Sequence, residues 1–197
     1  CAILKLVSFK YNNSQKKSCG ILSSPSNLLD LELKPDFQQI NTLFKNGIDQ
    51  SNLKIISLDD ISLLSPITNL TSLRDAYAFR QHVQTARENR GMTMLAEFDE
   101  FPVFYFSNHN NMYGHGQDIE LMPDHFKQLD YELELAILIG RGGKNILSKD
   151  ADKHIAGFCI LNDLSARKLQ MEEMKLNLGP AKGKDFATSI GPSIVTL

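Results

Sequence analysis

Apolar and polar residues alternate from Ala2 to Phe9 (AILKLVSF), the period-two pattern of a half-buried strand. Asn12, Asn13 and Ser14 supply turn chemistry, and Gly20-Ile21-Leu22 reads as the returning strand. From Leu28 to Phe44 the apolar residues fall near helical spacing, with Pro35 early and Gly47 as a stop, which predicts a helix. Leu53 to Leu64 mixes short apolar runs with Asp59 and Asp60, and Pro66 closes it. Residues 1–70 therefore read as a small β-rich N-terminal module with one helix, and nothing in it suggests chemistry.

The pattern changes after Ser72. Residues 73–90 contain no Gly or Pro and then meet Gly91, which predicts a helix with a C-terminal stop. Phe101 to Ser107 (FPVFYFS) is strand-like and aromatic, and Gly114, Gly116 and Pro123 punctuate a loop region that holds His109, His115 and His125. Asp130 to Gly140 (DYELELAILIG) alternates and then turns continuously apolar, as a strand entering a core would. Ser148 is placed to cap a short helix through His154. Phe158 to Leu161 reads as strand, Ser165 to Met174 as helix, and Phe186 to Thr196 as one or two strands. The chain stops at Leu197 in an apolar, strand-like run, the ending expected of a fragment of a longer domain.

Composition narrows the function classes. With 21 Lys+Arg against 23 Asp+Glu the net charge is −2, which excludes a basic nucleic-acid footprint and argues against an anionic membrane partner. No apolar run approaches the roughly 18–20 residues of a membrane span. Three scattered cysteines, Cys1, Cys19 and Cys159, make neither a disulfide framework nor a zinc knuckle. They fit reduced thiols, hence a cytoplasmic location.

Candidate chemistry concentrates in four places. Glu132 and Glu134 lie two apart in a strand, so both carboxylates share a face, with Tyr131, Leu133 and Leu135 on the other. Two like charges so placed are unfavourable unless something positive sits between them. Asp163 follows a strand and opens the next helix, where it can act as an N-cap or join the other two. Three carboxylates meeting at a point make a hard oxygen site for Mg²⁺, Ca²⁺ or Mn²⁺. Asp75 and His82 are seven residues apart, about two turns of one helix, or come together through a loop. Arg167 and Gln170 share a helix face, and Lys182 and Lys184 lie in a loop after Gly179-Pro180; together they are the makings of an oxyanion clamp.

Four blocks, DAYAFRQH at 75–82, DYELELAILIG at 130–140, GFCILNDLSARKLQ at 157–170 and GPAKGKDFATSIGPSIVT at 179–196, resemble in order and spacing the fumarylacetoacetate hydrolase family. The resemblance covers about residues 70–197 and implies an α+β, β-rich fold: a mixed β-roll with peripheral helices, residues 71–197 forming an incomplete catalytic domain. It implies that Asp75, Glu132, Glu134 and Asp163 ligate a divalent cation, Mg²⁺ first, that His82 activates water, and that Arg167, Gln170 and Lys184 hold the developing anion. Tyr77 and Tyr105 are implied to contact substrate. Lys184 is preferred to Lys182 because Gly-Lys-Asp-Phe aligns with the family's pattern. The family's catalytic domain continues past the strand where this chain ends and carries an acidic partner of the histidine there, so no residue here takes that role.

The expected function is therefore a metal-dependent hydrolase cleaving a carbon–carbon bond in a 1,3-diketo acid, as in aromatic amino-acid (tyrosine) catabolism, and acting as a homodimer. The alternatives are a 2-oxo acid decarboxylase or tautomerase on the same metal, or a catalytically silent dimeric scaffold.

Overall fold

A computed structural model describes residues 3–36, 39, 42–43 and 46–197. The first strands follow the alternation: β1 is Lys5–Tyr11, β2 Lys17–Leu22, β3 Asn27–Asp30, β4 Lys54–Ser57 and β5 Ile61–Leu63. The helix expected over Leu28–Phe44 is corrected at its start. Residues 27–30 are strand, because β3 is hydrogen-bonded on both sides, to β2 (Leu29↔Ile21) and to β4 (Leu28↔Ile56). Pairing across the sheet overrides the local spacing there; part of the remaining stretch lies outside the described residues.

The second half begins with β6 (Leu73–Ala76), helix α1 (Arg80–Glu88), β7 (Phe104–Ser107) and β8 (Met112–Tyr113). The helix expected from residue 73 thus starts seven residues later. Leu73–Ala76 is extended because it pairs antiparallel with β7, Asp75 opposite Tyr105. Only Val83 of α1 is buried, and its exposed face is tied by Arg80 Nη1 to Gln84 (3.1 Å) and Gln84 Nε2 to Glu88 (2.8 Å), i,i+4 pairs of the kind that support a surface helix. Gly91, at φ +69°, lies just past its end, as expected.

Then come the two longest strands, β9 (Leu129–Ile139) and β10 (Ile155–Ala166). They are followed by helix α2 (Arg167–Met174), the short helix α3 (Lys182–Asp185), β11 (Thr188–Ile190) and β12 (Ile194–Thr196). A 3₁₀ helix spans Ser148–His154 as expected, but its N-cap position is Leu147 and no side chain caps it.

The main sheet runs β4-β3-β2-β1-β12-β10-β11-β8, with β5 also on β1 and β9 on β10. All its pairs are antiparallel except β11–β8. The N-terminal and C-terminal parts share it through β1 and β12, Lys5↔Val195 and Leu6↔Ile194. β1 feeds two apolar clusters. Leu6 packs with Cys19, Ile21, Ile67, Leu161 and Ile194, whereas Val7 and Phe9 pack with Leu28, Ile56 and Ile61. Each such large side chain, fully buried, contributes roughly 1.5–3 kcal/mol.

The expectation that β9 becomes continuously apolar by entering a core is corrected. Alternation persists to its end: Leu138 is buried, but Leu133, Leu135, Ile137 and Ile139 are 72, 55, 53 and 53% exposed on one face. No helix among the described residues is long and apolar enough to cross a membrane.

Candidate active site

The long β9–β10 ladder is what builds the site. Its register sets Asp163 directly opposite Glu132 and Leu161 opposite Glu134, so all three carboxylates rise from one face of two adjacent strands. Asp163 is therefore a strand residue, not the opening of a helix; β10 stays hydrogen-bonded to β9 as far as Ala166. The fourth carboxylate comes from β6. Asp75, Glu134 and Asp163 each offer an oxygen within 4.8 Å of the others.

The electrostatics of this triad are unbalanced. Burial, then the charges of Asp75, Asp163 and Glu132, push Glu134 up to about 8. Burial also raises Asp163, to about 6, although Lys184 pulls the other way. None of the described residues donates a hydrogen bond to Glu134. Three hard oxygens held together at such a cost fit a divalent cation, and Asp75, Glu134 and Asp163 are the residues that would hold it; the set suits Mg²⁺, Mn²⁺ or Ca²⁺ without choosing among them.

Glu132 is engaged differently. Its Oε1 accepts from Lys184 Nζ at 2.9 Å and from Arg167 Nη1 at 2.6 Å. These two cations hold its carboxyl below the ordinary range against the effect of burial. Lys184 also donates to Asp163, and it is 2% exposed; its two carboxylates outweigh burial and raise its ammonium above the ordinary range. Lys182, two residues before it, is exposed and pairs with Glu173 at 3.3 Å. The two lysines lie on a short helix rather than in a loop. That helix sits close to α2 because Gly183 has no side chain: a Cβ there would meet the Gln170 backbone at 2.7 Å.

The remaining expected residues are less uniformly gathered. Gln170 Oε1 accepts from Arg167 Nη1 at 3.1 Å, so it joins the cluster. The Tyr105 hydroxyl donates to Asp75 at 2.5 Å; burial and that carboxylate raise its pKa, so the phenol stays protonated and orients a triad member. Tyr77 is exposed. His82 is exposed on α1 and lines a shallow hollow of about 630 Å³ with Phe79, Arg80 and Thr85. No hydrogen bond joins it to the triad among the described residues.

One partner went unread in the sequence, Asp130. It continues the Glu132/Glu134 alternation one step back, and its carboxylate accepts from Arg167 Nε at 2.9 Å. The period-two line Asp130-Glu132-Glu134 was the signal that could have found it.

A cluster of hard carboxylate oxygens, flanked by the buried Lys184 and the part-buried Arg167, is thus set on a β-rich fold. The sequence model of the fumarylacetoacetate (FAA) hydrolase C-terminal family matches residues 71–197, and the chain belongs to that family. Oxaloacetate tautomerase fahd2, mitochondrial, of Xenopus laevis is 28% identical over 98% of this chain and 62% of its own length. A fumarylacetoacetase of Oryza sativa subsp. japonica is 49% identical over 74 residues, 36% of this chain and 17% of that protein. The structure superposes with TM-score 0.73 on the fumarylacetoacetate hydrolase of Exiguobacterium antarcticum, 24% identical, covering 98% of this chain and 66% of that one. The chain thus spans somewhat under two thirds of the full-length relative it matches.

Proposed function

We propose that the protein is a metal-assisted tautomerase of a small 2-oxo dicarboxylic acid such as oxaloacetate, interconverting keto and enol forms. What carries this reading is the reach of the similarity: the tautomerase relative matches 98% of the chain, the fumarylacetoacetase 36%. The chemistry asks little more than the site offers. Tautomerisation moves a proton between the carbon beside the carbonyl and the carbonyl oxygen, so the barrier falls if the enolate oxygen is stabilised. A divalent cation on Asp75, Glu134 and Asp163 would supply Lewis-acid withdrawal of charge. Lys184 and Arg167, fixed by Glu132, supply N–H donors for the same developing anion.

Hydrolysis of a 1,3-diketo acid is the second reading, favoured by the 49% identity stretch and by His82, which follows Asp75 at the spacing the family resemblance assigns to a water-activating base. One assay separates them. With Mg²⁺, proton NMR should show accelerated enol-to-keto conversion of oxaloacetate, and His82→Ala should retain it. If acetylpyruvate or fumarylacetoacetate is instead split into two acids, and His82→Ala lowers that rate by about two to four orders of magnitude, hydrolysis replaces tautomerisation.

A further inference from the structure

We infer that Asp130 is a positioning residue that locks the Arg167 guanidinium so that its Nη2 amino group takes an anionic oxygen of the substrate, an inference that rests on the anion-holding role proposed above for Arg167. The geometry carries it. Arg167 follows directly on β10, and its own N–H closes the ladder on the Gln128 carbonyl at 3.0 Å. Its side chain then lies back along β9, across the face that presents Asp130 and Glu132. Nε donates to Asp130 Oδ2 at 2.9 Å; Nη1 donates to Glu132 Oε1 at 2.6 Å and to Gln170 Oε1 at 3.1 Å. Nη2 has no partner among the described residues.

A guanidinium is a rigid plane with five donors. Held at Glu132 alone, where Lys184 competes for the same oxygen, the plane could turn about that contact. Held at Nε as well, by a second carboxylate two residues away, its plane is fixed and the direction of Nη2 with it. Asp130 is itself steadied, because its Oδ1 accepts from the Tyr131 backbone N–H at 2.8 Å. The side chain is about half exposed, so the pair adds little to folding stability. Its value lies in orientation.

The test uses the whole chain in Mg²⁺ with oxalate as probe, read by calorimetry, beside the tautomerase assay. Asp130→Ala should weaken oxalate by about tenfold, and should raise KM for oxaloacetate more than it lowers kcat. Asp130→Asn, which keeps an oxygen acceptor, should recover most of the loss. In an Arg167→Lys background, which has no fork to orient, Asp130→Ala should change oxalate affinity less than twofold. Melting curves establish that each variant is folded. Unchanged oxalate affinity in folded Asp130→Ala, additive losses in the double variant, or no oxalate binding by the wild-type chain would each overturn the inference. Oxalate bound tightly and Asp130-dependently, with no oxaloacetate turnover, would support it and reject the tautomerase reading instead.

Discussion

Among the described residues the molecule buries carboxylates in two places and treats them in opposite ways. Asp30, at the end of β3, is 1% exposed, yet its oxygens are fully answered by neutral donors. Tyr11 Oη and Ser18 Oγ both donate to it, and the Glu32 backbone N–H completes the set at 2.8 Å. Asp163, on β10, is about as buried, but it faces Asp75 and Glu134, and its described donor is the charged Lys184. One carboxylate belongs to a finished hydrogen-bond network; the other sits in a cluster short of positive charge. That contrast, more than burial, separates a structural acid from a site, and substitutions on the two sides should divide accordingly.

Asp163→Asn should do the most damage. It replaces a charged carboxylate of the triad by a neutral amide and weakens one of the two anions that hold Lys184, so turnover should fall by about two to three orders of magnitude. The Mg²⁺-induced rise in melting temperature should disappear with it. A variant that kept the Mg²⁺ response would move the cation site away from the triad.

The cation itself should stabilise the wild-type chain more than a surface contact can. A ligand that binds only the folded state at 100 times its Kd adds about 2.7 kcal/mol. Mg²⁺ or Mn²⁺ should therefore raise the melting temperature and EDTA reverse the gain. No shift at millimolar concentrations would erase the distinction between the two carboxylate sites.

Asp30→Ala should show the reverse profile. It strands the Tyr11 and Ser18 hydroxyls in the sheet and should cost about 1–3 kcal/mol. The Mg²⁺ response and the catalytic rate of the remaining folded protein should be unaffected. Loss of the metal response in this variant would mean that the shared sheet couples the two regions.

How far this division was legible in the sequence depends on the range of the interactions involved. The Glu132/Glu134 face could be read because alternation is a local property of one strand, and β9 carries it from Leu129 to Ile139. Asp163 reads as a ligand candidate in the sequence, but at a helix start. The polar residues around it resemble a cap, and only the long ladder to β9 keeps Leu164 to Ala166 extended. Leu73–Ala76 has the local pattern of a helix for the same reason: its partner strand begins at Phe104, beyond any local window. The Asp30 network left no local trace either, since Tyr11 and Ser18 reach it from β1 and β2. Gln170 is legible from helix spacing and the two lysines from their place after Gly179-Pro180, but the choice of Lys184 over Lys182 is legible only through the family blocks, because it depends on how closely α3 sits on α2 at Gly183.

The smallest effect sharpens the comparison from the structural side. Burial, then the hydrogen bond and charge of Asp30, raise the Tyr11 phenol from 10.0 to about 12. In the unfolded chain Tyr11 ionises near its ordinary value. Below pH 10 both states keep the proton and the Tyr11–Asp30 contribution is fully present. As pH rises towards 12 the unfolded state is the one that gains by losing its proton, so this contribution declines across that window and is gone above it. Tyr11→Phe should cost about 1 kcal/mol at neutral pH, since Asp30 loses one of its donors. It should also flatten part of the alkaline decline expected in urea titrations of the wild-type chain between pH 9 and 12. An identical alkaline slope in both proteins would mean that Asp30 is held by Ser18 and the Glu32 amide alone. The Mg²⁺ response at pH 8 should be the same in both, because none of Asp75, Glu134 and Asp163 is hydrogen-bonded to Tyr11.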